Sequence, residues 1–431
     1  MRRHRRMVPE VIQASAMDCG PAALKALMEG FGLPVSYGRL REACQTDVDG
    51  TSITTLEEVA NRLGLTCEEI VIPRDHLFVE EAGALPAVVV IRHANGETHF
   101  VVVWSVHGPF VQIMDPAVGR RWIRRSELIE QLYVHALPVP AEEWREWAGS
   151  DEFIKPLRRQ LEDVGVLPTP LIETALADPG WTALGALDAA TRMVTAIVRS
   201  RGLTRGDEAA AVIKRFAEAA AAHLDGAHDA LPIPTEYWSV RPSASDADGV
   251  PQVMLSGAVM VRALGRGEAA TESLSPELTA ALHELPPRPL RELLDLLRRD
   301  GLGTPMVLTS VIAFAAAIPL LEALVFRGLI DMGSVLGLPI ERFTAVMALA
   351  VMMVVGLGLK LPVAWSVAGL GRALEVRLRS ALYEKIPRLG DRYFRSRLVS
   401  DMAERSHSVH ELRILPELGE RFLSASTRMA L

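Results

Sequence analysis

Cysteine is scarce in this chain: three residues in 431, Cys19, Cys44 and Cys67, all within the first 70 positions. So small and odd a set excludes a disulfide framework and suits a reducing compartment. A phosphate-binding loop of the form G-x-x-x-x-G-K-[ST] is also missing; "GLGTPM" and "LGRGEA" lack the Lys-Thr pair and read as ordinary turns. The basic start "MRRHRRM" has no continuous apolar core behind it, so no cleaved signal peptide is expected. These arginines suit either a solvated start or contact with anionic lipid headgroups. His223, Asp225, His228 and Asp229 have the residue types of a metal cluster. They sit at one helix end with no matching partner elsewhere, so they read as solvated. No metal or cofactor is expected in this chain, and no nucleic-acid partner.

What the chain does have is apolar sequence, 49% of its residues, unevenly placed. Its length suggests two to four domains. Residues 1–140 carry helix signals early and Val/Ile-rich strands late ("CEEIVI", "PAVVVIR", "HFVVVWSV", "FVQIMD"), the pattern of an α+β domain with a mostly antiparallel sheet. Residues 141–303 are Ala-, Leu- and charge-rich, a mainly helical accessory segment with a loop and one or two short strands over 231–268. Residues 304–371 hold two long apolar runs, 306–326 and 343–359, each long enough to be read as a membrane span. Glu322 and Lys360 are costly at membrane depth and could face a translocation path, but both lie toward the ends of these runs, where long side chains reach the interface. Arginines crowd the stretch from 372 to 431, so the positive-inside rule sets that segment, and the N-terminal domain with it, on the cytoplasmic side of a multi-pass inner-membrane protein.

The stretch "VIQASAMDCGPAALKALMEGFG" sets Cys19 at the mouth of a helix whose first turn contains Pro21. Unpaired N–H groups and the macrodipole there favour a thiolate, the nucleophilic form. The other reading is a small buried hydrophobe. A cysteine nucleophile needs a base and a group to orient that base. The candidate bases are His76, His93, His99, His107 and His135. If the hairpin turns around His107 and Gly108, His99 and Asp115 face each other to within a residue at its open end, in reach of a carboxylate–imidazole bond. His93, in a loop, and His107, in the turn, have no such partner. Gln13, six residues before Cys19, supplies an amide suited to an oxyanion. The order Cys, His, Asp is that of a papain-like thiol hydrolase. Cys44 and Cys67 have no base nearby and read as structural.

"QASAMDCGPAAL", "GTSITTLEEVANRLGL", "HFVVVW" and "DPAVGRRWI" together resemble the peptidase domain of peptidase-containing ABC exporters, the bacteriocin-processing, double-glycine-leader cysteine peptidases. "DPAVG" resembles the branch that handles nitrile-hydratase-like leaders. The resemblance covers about residues 8–137 and implies a papain-like fold with Cys19 as nucleophile, His99 as base, Asp115 as its orienter and Gln13 as oxyanion donor. It also implies cleavage after a Gly-Gly pair of a leader-bearing precursor, coupled to export, and a homodimeric or heterodimeric assembly. The segment after the second run is similar to the cytoplasmic helices of a type I ABC exporter. Two departures stand out: the accessory block of about 160 residues, and the absence of four spans and an ATPase. Fused or separate permease–ATPase parts, carrying the ATP, are expected to complete the machine. Two further readings remain. One is a leader-binding platform that does not cut, marked by an accessory segment packed over Cys19. The other is a membrane-anchored thiol hydrolase acting on some other amide.

Overall fold

The computed structural model describes residues 4–46, 50–224, 232–267 and 276–284, and beyond them 291, 310, 323–324, 326–328, 330–331, 338–389, 393–394 and 399–429. The chain forms two compact units, residues 1–285 and 286–431.

In the first unit, α1 (Cys19–Gly30), α2 (Tyr37–Ala43) and α3 (Ile53–Arg62) precede β1 (Leu65–Ile72), β2 (Ala87–Arg92), β3 (Thr98–His107), β4 (Phe110–Asp115) and β5 (Gly119–Arg124). α1 is apolar almost all round, with Ala22, Ala23, Leu24, Ala26, Leu27 and Met28 fully buried, as expected of a helix enclosed by its own domain. It lies against β3, and at Gly30 the approach is so close that a Cβ would stand 2.1 Å from the Trp104 ring. α3 begins at Ser52, whose Oγ accepts the Thr55 N–H at 3.1 Å and satisfies one of the unpaired donors of the first turn.

α4 (Arg125–Gln131) and β6 (Val134–Pro140) lead into five helices: α5 (Ala141–Ala148), α6 (Asp151–Asp163), α7 (Pro168–Leu176), α8 (Thr182–Arg199) and α9 (Asp207–Leu224). Their apolar faces make a core of their own around Phe153, Leu157, Leu161, Leu184 and Ile213. The short β7 (Val240–Pro242) and then β8 (Gln252–Arg266) bring the chain back.

That return corrects the expected layout. In place of one or two short strands inside a separate segment 141–303, β8 runs 15 residues through the main sheet. The sheet is antiparallel with order β1-β8-β2-β3-β4-β5, and β6 and β7 also pair with β8. β8 is bonded along the whole of β1, Leu65↔Arg266 to Ile72↔Ala258, and to β2 at Ala87–Val89. The helical module is thus an insertion nested between strands of one sheet. Sequence spacing hid this because β1 and β2, the strands between which β8 inserts, lie some 170 to 200 residues upstream. Gly257 allows the approach: a Cβ there would lie 2.5 Å from the Ile72 carbonyl oxygen.

An ion-pair network also fastens the module to the connection between β1 and β2. Arg192 of α8 donates through Nε to both oxygens of Asp75 (3.0 and 2.9 Å) and through Nη1 and Nη2 to Asp188 (2.6 and 2.7 Å). Gln160 Nε2 adds a 2.6 Å bond to Asp75. The Arg192 charge outweighs burial and holds the Asp75 carboxyl at about 2.

In the second unit, the helix Pro339–Lys385 takes in the apolar run 343–359 and the Lys360 position, and shorter helices span Val399–Ser408 and Leu415–Met429. The run 306–326 and Glu322 lie largely outside the described residues, as do Asp225, His228 and Asp229. Among the described residues no helix is long and apolar enough to cross a membrane.

Candidate active site

Cys19 is the first residue of α1, half-buried, with Asp18 before it at the cap position. His99 stands at the start of β3 and Asp115 at the end of β4, both buried. His99 Nε2 and Asp115 Oδ1 are 2.9 Å apart. The other ring nitrogen is left for Cys19, whose side chain is hydrogen-bonded to the imidazole.

The hairpin register differs from the expected one, and the difference matters. The turn is Gly108–Pro109, with His107 opposite Phe110, and the pairing shifts between Val103 and Ser105. Without that shift Asp115 would fall opposite Val102 and point to the opposite face from His99. The extra residue in β3, Trp104, flips the alternation, because side chains change face at every residue. Continuing the shifted register puts Asp115 opposite Val101, two residues from His99 on the same face, and the diagonal side chains meet.

Asp115 is fully engaged. Oδ1 also accepts the Ala117 N–H at 2.9 Å, and Oδ2 accepts Arg121 Nη2 at 2.9 Å. Burial raises its pKa, but the His99 and Ala117 bonds and the nearby cations outweigh this, so the carboxyl titrates below its ordinary range. His99 is pulled two ways. Burial lowers it; the hydrogen bonds to Asp115 and Cys19 and the Asp115 carboxylate charge raise it by more, and the imidazole sits at about 9. The arrangement therefore holds an imidazolium beside a sulfur at neutral pH.

Gln13 belongs to the loop before α1. Its N–H donates to the Pro116 carbonyl at 2.8 Å, next to Asp115, and its buried Oε1 has no hydrogen-bond partner among the described residues. Of the other histidines, His93 packs its ring 5.2 Å from that of His99, a contact the loop position did not suggest. His107 meets Trp122 and His135 meets Tyr133, away from this hairpin end. His76 is buried against Phe153. Cys44 and Cys67 are buried thiols whose pKa burial raises, Cys67 to about 12. Two residues beside the site escaped the sequence reading. Arg121 was signalled only by "DPAVGRR", where a tight Asp115–Gly119 pairing returns the chain beside the carboxylate. Tyr37 lies 18 residues beyond Cys19, on another helix.

A helix-borne cysteine, a strand-borne histidine and an aspartate bonded to it, on an α+β scaffold, define a papain-like cysteine peptidase domain. Residues 8–139 match the peptidase C39 family, and through this segment the chain belongs to that family. The chain is 31% identical over 110 residues to the lactococcin-G-processing and transport ATP-binding protein LagD of Lactococcus lactis, covering 26% of this chain and 16% of that protein. It is 31% identical over 133 residues to an uncharacterized protein, MTBMA_c00490, of Methanothermobacter marburgensis, covering 31% of this chain and 89% of the relative. Among solved structures it is similar to a double glycine motif protease from an AMS/PCAT transporter in complex with its leader peptide. The identity there is 26%, with 30% of this chain and 89% of that chain covered, and the TM-score is 0.27. The chain thus spans less than a fifth of the length of the processing transporter it matches.

Proposed function

We propose that this chain removes double-glycine-type leaders from ribosomally made peptides, with Cys19, His99, Asp115 and Gln13 as its working residues. The observation that supports this reading most is the His99–Asp115 bond of 2.9 Å beside Cys19, inside the segment that matches a peptidase family. The Cys19 sulfur attacks the carbonyl carbon of the last leader residue. Gln13 Nε2 donates to the oxygen as it gains charge. The His99 imidazolium gives its proton to the departing amine, and a thioester remains on Cys19. Water, deprotonated by His99, then hydrolyses the thioester and frees the leader. Asp115 holds the ring so that one nitrogen faces the sulfur throughout. Arg121 keeps that carboxylate ionised and oriented.

The name of the lactococcin relative supports the coupling to transport. The second unit supports membrane attachment and a permease–ATPase partner: Phe343, Val346, Val351, Val354, Leu357 and Trp365 are all exposed along one helix. The test is incubation of the full chain with leader peptides ending in Gly-Gly or Gly-Ala, followed by mass spectrometry. Cleavage directly after the small pair, lost in Cys19→Ala, is expected. Binding without any product from the unaltered chain would refute the proposal.

A further inference from the structure

Gln13 and Cys19 come from different pieces of backbone, and one phenol joins the two. Tyr37, the first residue of α2, accepts the Ala14 N–H at 3.0 Å and donates to Asp18 Oδ2 at 3.2 Å. Ala14 directly follows Gln13, and Asp18 directly precedes Cys19. Asp18 is fully buried, and Arg41, one turn along α2 from Tyr37, bonds its other oxygen, Oδ1. The far side of the loop is held by the Gln13 N–H on the Pro116 carbonyl. The loop carrying Gln13 is therefore pinned at two consecutive residues. One pin runs to the backbone next to Asp115 and the other, through Tyr37, to the carboxylate next to Cys19.

The Gln13 carboxamide itself is not anchored. Its Oε1 is buried with no hydrogen-bond partner among the described residues, so its aim depends on where the loop backbone is held. An oxyanion donor works only within a few tenths of an ångström of the place where charge develops. From this we infer that Tyr37 is a positioning residue for the oxyanion site: its hydroxyl sets the loop, and hence the Gln13 amide, at its working distance from the Cys19 sulfur. This rests on the reading of Gln13 as the oxyanion donor given above.

Tyr37→Phe in the full chain removes only the hydroxyl and leaves the ring packed. The expected result is a fall in kcat of about tenfold with KM within twofold, since the lost interaction acts in the transition state. Two probes separate positioning from general damage. A leader-derived peptide aldehyde adds to the Cys19 sulfur as a hemithioacetal, its carbonyl oxygen ending where the oxyanion forms and taking the thiol proton. Its affinity should fall by the same factor as kcat. Alkylation of Cys19 by iodoacetamide, which forms no oxyanion, should keep its rate. Gln13→Ala should lower kcat by roughly 10²–10³, and adding Tyr37→Phe to it should cost nothing more, because the two act as one unit. If Gln13→Ala cleaves as the unaltered chain does, the oxyanion reading fails first. If Gln13→Ala is impaired while Tyr37→Phe keeps both kcat and aldehyde affinity, the positioning role alone is refuted. Loss of alkylation rate and thermal stability in step with kcat would also refute it, marking Tyr37 as a merely structural residue.

Discussion

Truncation after residue 140 keeps every proposed working residue and the whole family segment 8–139, yet the structure predicts that it abolishes folding. The lost element is β8, between β1 and β2. Met260 and Val261 of β8 are fully buried, one facing the core around Val89 and Ile113 and the other the core around Leu24 and Trp104. Burial of such side chains contributes roughly 1.5–3 kcal/mol each, so these two account for about 3–6 kcal/mol. The bonds of β8 along Leu65–Ile72 and Ala87–Val89 add roughly 0.5–1.5 kcal/mol apiece. Domains of this size are stable by only about 5–15 kcal/mol. The truncated chain also exposes two open strand edges in the middle of its sheet, an invitation to aggregate. The assay is urea unfolding by circular dichroism of residues 1–140 against 1–285, with leader cleavage measured on both. The 1–140 fragment should show no cooperative transition and no cleavage, and a peptide covering 250–267 added in trans should restore part of each. A fragment 1–140 that unfolds cooperatively at an unchanged midpoint and cleaves at an unchanged rate would show that β8 is not needed. In the complete chain, Met260→Ala gives a graded version, expected to cost about 2–5 kcal/mol.

The remaining expectations concern the site and its support. Asp115→Asn should lower kcat by roughly 10²–10⁴ with leader affinity near normal, read by isothermal titration beside steady-state kinetics; equal activity would remove the triad. Arg121→Gln should lower activity more mildly, since Asp115 keeps its bonds to His99 and Ala117. The His99 pair makes stability depend on pH. Its folded pKa of about 9 lies above the ordinary 6.5, so the contribution is complete below about 6.5 and disappears as pH rises through 9. Tm should fall across that interval and the fall should vanish in His99→Gln; an unchanged slope in the variant would assign the effect elsewhere. Gly30→Ala forces a methyl into the Trp104 ring and should cost about 1–3 kcal/mol in chemical denaturation. Iodoacetamide on the native protein should label Cys19 and leave Cys44 and Cys67, buried at 1% and 4% exposure, unmodified until urea is added.

Much of the local structure was decided by sequence alone. The apolar pattern after Cys19, the Thr/Ser start before Ile53 and the Val runs of β2 and β3 each carry their own signal, because helix caps and side-chain alternation act over a few residues. Cys19, His99 and Asp115 could be proposed as candidates for the same reason, as residue types in order at the ends of such elements, and the structure sets His99 against Asp115. Tertiary structure decided what depends on distant partners. The slot between β1 and β2 is filled by β8 because Met260 and Val261 find two cores there, a match that no local window contains. The bulge at Trp104 brings His99 and Asp115 to one face because a single extra residue reverses the alternation, and the sequence shows no mark of it. Tyr37 and Arg121 entered the site only when a second helix and a tight hairpin returned them to it. Short-range propensity writes elements and candidate residues; long-range packing and register choose which of those residues meet.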